Sequence, residues 1–199
     1  MNKILAYMGV YGPLLNLIIY ILVEVFYILN DEISLIYFIM SLFLQFVSPI
    51  INNVLKIMIK QPRPKGTKDI DKYEKRLDKG SYGMPSGHAQ MHSSIITLAY
   101  YSNFPFYIIC IMIVILIISL FQRFTFKKHT ISQLLFGVIV GFLLTHGYWY
   151  FILKPLQINF TNKLKDKNLL NVEEGSPQPS LCDDQDCPRS SPRDDAKGP

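Results

Sequence analysis

The sequence predicts an all-α protein, a polytopic membrane helix bundle of about five transmembrane helices that ends in a disordered tail. Three observations carry that reading. Half of the 199 residues are hydrophobic and the mean hydropathy is positive, +0.23, more apolar than a soluble domain with this many long runs. The apolar residues gather into five stretches, 4–29, 33–57, 87–103, 104–122 and 131–153, which approach or exceed the roughly 20 helical residues that cross a hydrocarbon core. The alternating pattern of a transmembrane β-barrel is absent, so helices are left as the form that satisfies backbone groups in lipid.

Each element can be taken in order. The stretch 4–29 is too long for a signal h-region and lacks a small-residue cleavage site, so it is expected to remain as a membrane helix. Glu24 lies within it and should face other helices or sit near an end, because a carboxylate is costly in lipid. The stretch 33–57 returns. The loop 58–86 contains "KGTKDIDKYEKRLDKG", whose alternating charge reads as a solvated surface. Its lysines would attract anionic lipid head groups. It lacks the aromatic and Arg content of a nucleic-acid surface, so no nucleic-acid partner is expected.

The stretch 87–103 is short and polar, with Gln90, His92, Ser93, Ser94 and Thr97. The stretch 104–122 encloses Cys110, expected to pack as a small hydrophobe. The stretch 131–153 completes a transmembrane domain over residues 1–155. Residues 156–171 form a short amphipathic or linker segment with Leu156, Ile158, Phe160, Leu164, Leu169 and Leu170. Residues 172–199 lose isoleucine and aromatics together, which reads as a disordered tail or an appended, non-native extension. Cys182 and Cys187 fall there, and two thiols alone do not make a zinc site.

Following the chain across the bilayer gives the central inference. If 4–29 crosses one way, 33–57 returns, and 87–103 with 104–122 goes over and back. The loops 58–86 and 123–130 then share one face, which gathers Lys56, Arg63, Ser86, Gly87, His88, Arg123 and His129. Singly, each has an ordinary explanation. Lys56 and Arg63 could be helix-end cations, Ser86 a plain N-cap, and His129 a solvated residue. Together they suit phosphoryl transfer. Lys56, Arg63 and Arg123 can surround a phosphate, and the helix opening at Ser86 and Gly87 offers N–H groups to an anion, with glycine allowing close approach. These groups already neutralise developing charge, and no carboxylate cluster is present, so neither a metal nor a cofactor is expected. Two histidines allow a covalent route, one attacking phosphorus and the other moving the proton. His129 and Gln133 are four apart and share a helix face. Gln133 is therefore expected to orient His129 as the nucleophile, with His88 as general acid and base.

The three blocks "KIMIKQPRP", "PSGH" and "RFTFKKHTISQ" resemble the signature of the phosphatidic acid phosphatase type 2 superfamily, which includes membrane lipid phosphatases and vanadium haloperoxidases. The resemblance covers roughly residues 50–145. It implies a phosphohistidine at His129, a general acid at His88, and a phosphate pocket of Lys56, Arg63, Ser86, Gly87 and Arg123. Two positions depart from the pattern: Gln133 stands where Asp is usual, and Gln122 where Ser is frequent. Yet "KQPRP", "YGMPSGHAQ" and "HTISQ" together resemble the dolichyl diphosphatase branch, in which Gln is the expected residue.

That branch implies a polyprenyl diphosphate lipid as substrate and an endoplasmic reticulum membrane with the active site toward the lumen. The lysine distribution points the other way, because the active-site face carries far more Lys and Arg than the opposite face with Lys154, Lys163, Lys165 and Lys167. A glycan on Asn159 of "NFT" would place the C-terminal side in the lumen and the active site in the cytosol. The alternatives are a broader lipid phosphate phosphatase acting on phosphatidate-like lipids, and a non-catalytic membrane protein that binds lipid phosphate.

Overall fold

The computed structural model describes residues 3–30, 32–68 and 82–175, with side chains from 6 to 165. Most of the mixed-charge loop, and the tail with Cys182 and Cys187, lie outside the described residues. Two units divide between Thr161 and Asn162. The first carries the bundle; of the second, residues 162–175 are described, as helix.

Among the described residues the regular elements are all helical. They are α1 (Lys3–Leu29), α2 (Leu35–Ile59), α3 (Gly87–Tyr101), α4 (Phe106–Thr125), α5 (Ile131–Tyr148), a π-helical turn (Trp149–Leu153) and α6 (Lys154–Gly175). The five predicted stretches correspond to α1 to α5, with the last running through the π turn. The expected short segment at 156–171 falls inside α6.

Local chemistry sets the helix ends. Ser34 caps α2 by accepting from the Tyr37 N–H at 3.1 Å. At the other end Lys60 turns left-handed, φ 52°, and its N–H bonds back to the Lys56 carbonyl. Pro13 sits inside α1 and has no N–H to give the Gly9 carbonyl four residues earlier. Ser119 of α4 supplies the missing donor, with its Oγ 2.7 Å from that carbonyl.

Four stretches are long and apolar enough to cross a membrane: Ala6–Leu29, Leu35–Ile59, Phe106–Thr125 and Ile131–Lys165. They expose large apolar side chains such as Leu22, Phe26, Phe46, Ile117 and Leu143 to their surroundings, as lipid-facing helices do. The chain is an integral membrane protein. Glu24 is buried inside the bundle, as expected.

The exception is α3. Its 15 residues make a rod about 22 Å long at 1.5 Å per residue, shorter than the hydrocarbon core. It packs against α1, α2, α4 and α5, and its polar side chains find partners on several of them. Gln90 donates to Ser48 of α2 and accepts from Asn52. His92 meets Asn16 of α1 at 2.8 Å. Ser94 accepts from Gln45 and Thr145, and Ser93 donates to the Val138 carbonyl of α5. A helix that looked too polar to span is thus a hydrogen-bonded centre enclosed by apolar helices, with His92 Nε2 left unpartnered.

Contact between α3 and α5 depends on Gly137 and Gly141, one turn apart. A Cβ on Gly137 would lie 2.6 Å from the Ser86 carbonyl, and one on Gly141 2.3 Å from the Gln90 carbonyl. This spacing of small residues lets two helix backbones approach. It presses the start of α3 against the start of α5.

Candidate active site

The ends of α2 and α4 and the starts of α3 and α5 meet at one end of the bundle. Lys56 lies in the last turn of α2 and Arg123 in the last turn of α4. Ser86 stands at the N-cap of α3, followed by Gly87 and His88, and Thr130 caps α5 just after His129.

The Arg-x5-His spacing has a local cause. After α4 the chain turns back at Lys127, φ 53°, and the N–H groups of Lys128 and His129 both bond to the Arg123 carbonyl, at 2.9 and 3.4 Å. One carbonyl thereby fixes where His129 stands relative to Arg123.

Electrostatics tie the remaining cations to His129. The imidazole is only 4% exposed. Burial first, then the charges of Arg63 and Arg123, with a smaller effect of Lys56, hold its pKa down to about 3 from an ordinary 6.5, against an opposing hydrogen bond to Gly83. Its Nδ1 lies 2.8 Å from the Gly83 carbonyl. A carbonyl only accepts, so Nδ1 carries the proton and Nε2 keeps its lone pair.

Ser86 is fully buried at the N-cap position, but its hydroxyl makes no cap and no hydrogen bond within the protein. A plain N-cap would have used it. Its N–H instead donates to the Gln133 carbonyl at 3.2 Å. Gly87 lines a cavity, and a Cβ there would meet only the Asn52 side chain, its Oδ1 at an ordinary 3.4 Å.

His88 is half-buried and its Nε2 has two neighbours, the Val10 carbonyl of α1 at 2.9 Å and Nη2 of Arg123. The carbonyl requires a proton on Nε2 and the guanidinium requires a lone pair there. The two contacts are alternatives for one nitrogen.

The histidines line different cavities. His88 and Arg123 border one of about 600 Å³ whose walls are largely apolar, among them Val10, Pro13, Leu14, Pro49 and Met91. His129 borders another, of about 760 Å³, beside Lys65, Lys127, Thr130 and Ser132.

One expected contact takes another form. Gln133 was expected to hold His129 directly, but its side chain is engaged elsewhere. Its Oε1 accepts from the Thr130 N–H, and its Nε2 donates to Gln61 Oε1 and the Pro62 carbonyl. Completing the capping box and bridging to the 61–62 loop uses up the amide, and the Gly83 carbonyl takes the place at His129. The sequence reading also missed Val10 and Gln61; it placed Lys128 on the active-site face and did not foresee its burial. A backbone carbonyl in α1 leaves no hint.

Residues 34–156 match the PAP2 superfamily, more than half of the chain. The chain belongs to the PAP2 superfamily. A crystal structure of a transmembrane PAP2-type phosphatidylglycerolphosphate phosphatase from Bacillus subtilis is similar to it, with a TM-score of 0.55 and 20% identity over 81% of this chain and 77% of that one. At that identity the likeness shows the fold, that of a PAP2-type membrane lipid phosphatase. No curated protein matches.

Proposed function

We propose that this PAP2 protein is a phosphatase of polyprenyl diphosphates, dolichyl diphosphate in particular, working through a phosphohistidine at His129. The observation that carries the reading is the contrast between the settings of the two histidines. His129 has Nδ1 occupied and Nε2 available, amid the charges of Arg63, Arg123 and Lys56. His88 lines a largely apolar cavity suited to a lipid chain.

The terminal phosphate would lie among Lys56, Arg63, Arg123, the Ser86 hydroxyl and the N–H groups opening α3. His129 Nε2 attacks phosphorus and the P–O bond to the lipid phosphate breaks. A phosphate drawing on Arg123 leaves His88 Nε2 with its proton for the departing oxygen. Water, relieved of a proton by His88, then attacks phosphorus, the P–N bond breaks and inorganic phosphate leaves. None of these steps calls on a metal or cofactor.

Gln133, where the family pattern has Asp, together with the "YGMPSGHAQ" and "KQPRP" context, favours the diphosphate. A phosphate leaving group needs less protonation and less nucleophile activation than an alkoxide. The second reading, a broader lipid phosphate phosphatase, draws on the activity named for the Bacillus structure. Purified protein assayed with EDTA on dolichyl diphosphate and on phosphatidate separates them: faster turnover of the diphosphate supports the first reading, and equal or slower turnover rejects it. The same reading puts the active face toward the lumen of the endoplasmic reticulum, against the lysine distribution. A glycan on Asn159, which is exposed on α6, would overturn that placement.

A further inference from the structure

We propose that the Gly83 carbonyl is the group that orients the nucleophile, and that Gln133 and Gln61 are positioning residues that act through it. The inference rests on the reading of His129 as nucleophile and explains how a chain without Asp at position 133 fixes that histidine.

The Gln133 amide is locked by backbone groups at both ends. Its Oε1 accepts from the Thr130 N–H at 3.1 Å, and its Nε2 donates to the Pro62 carbonyl at 3.0 Å and to Gln61 Oε1 at 3.1 Å. The Thr130 N–H can only donate and the Pro62 carbonyl can only accept, so the amide has one orientation. A carboxylate there would set lone pairs against lone pairs at Pro62 and Gln61.

Gly83 is held against this amide. Its N–H donates to the Gln61 carbonyl at 2.8 Å. A Cβ on Gly83 would lie 2.7 Å from both Nε2 and Oε1 of Gln133, so a side chain there would have to push the amide off its hydrogen bonds. Pinned by the Gln61 backbone and the Gln133 amide, Gly83 aims its carbonyl at His129 Nδ1, 2.8 Å away. The Ser86 N–H bonds to the Gln133 carbonyl, which ties the start of the phosphate cradle to the same residue. The nucleophile is thus oriented by a neutral backbone acceptor, which sets the tautomer without a buried anion beside the phosphate.

The test compares full-length wild type with Gly83→Ala, Gln133→Ala, the double variant and His129→Ala, in detergent with a polyprenyl diphosphate. Gly83→Ala should lower kcat about 100-fold, since small misplacements at reacting groups cost that much, with KM changed less than about twofold. Gln133→Ala should lower kcat about tenfold by the same misplacement. The double variant should regain about tenfold or more over Gly83→Ala, because the methyl fits where the amide was. Nitrogen NMR of His129 should report the Nδ1-protonated tautomer in wild type and a mixture in Gly83→Ala. Gln133→Ala only removes atoms, and it carries the same kinetic and tautomer tests where Gly83→Ala does not fold. Unchanged kcat and tautomer with an inactive His129→Ala, a loss confined to KM, or a double variant no better than Gly83→Ala would overturn the proposal. An active His129→Ala would overturn the nucleophile reading, and the proposal with it.

Discussion

The two histidines are held by the same device and left in different states. Each bonds to a backbone carbonyl from a distant segment: His129 through Nδ1 to Gly83, and His88 through Nε2 to Val10. At His129 the bonded nitrogen is the one the reaction does not need. At His88 the bonded nitrogen also meets Arg123, so it can hold a proton for transfer only once the guanidinium moves to a phosphate. On the proposed mechanism, one carbonyl fixes the nucleophile and the other holds the acid. Apolar surface dominates both cavities, and Lys65 and Lys127 add positive charge to the one at His129.

The sharpest way to break the comparison is to remove each histidine. His129→Ala should lower phosphate release by about 10⁴-fold or more, as loss of a nucleophile does, on every substrate. His88→Ala should cost about 10²- to 10³-fold on the lipid substrate, the usual worth of a general acid. In the burst that forms the phosphoenzyme, the loss should shrink markedly on an aryl phosphate, whose leaving group needs no proton. Equal burst losses on both substrates would mean that His88 does not protonate the leaving group.

The cavities give a milder test. Leu14→Trp or Met91→Trp narrows the apolar space beside His88 and should raise KM for a long polyprenyl diphosphate about tenfold, the worth of roughly 1.4 kcal/mol of lost binding. A water-soluble short-chain diphosphate should be unaffected. Equal effects on both would argue against a lipid chain in that cavity.

A further test reads stability against pH. The His129 pKa is depressed in the folded protein, so the unfolded chain binds the proton more tightly. Its contribution to stability is complete above about pH 6.5, the unfolded value, and is lost as pH falls toward about 3. The melting temperature of wild type in detergent should fall across that window more steeply than that of His129→Gln.

Much of this arrangement was legible in the sequence because it rests on side-chain type and spacing. Five apolar stretches located five helices, and counting crossings brought Lys56, Arg63, Ser86, His88, Arg123 and His129 to one end. The polar third stretch was the hard case. Its hydropathy argues against spanning, and only the partners on α1, α2 and α5 explain why Gln90, His92 and Ser94 are tolerated there. The orienting group for His129 could not be read, because a main-chain carbonyl has no letter of its own. Helical spacing suggested Gln133, four residues on, and could not foresee that capping α5 and bridging to Pro62 would occupy its amide. The role of α1 was hidden for the same reason, since Val10 acts through its backbone.

The central claim is that phosphorus passes through His129 while His88 moves the proton. Rapid quenching of the protein with a polyprenyl diphosphate labelled in its terminal phosphate tests it most directly. The account predicts a protein-bound label, stable in base and labile in acid, that accumulates in His88→Ala and is absent in His129→Ala. Label that persists in His129→Ala, or none in either wild type or His88→Ala while phosphate is still released, would contradict it.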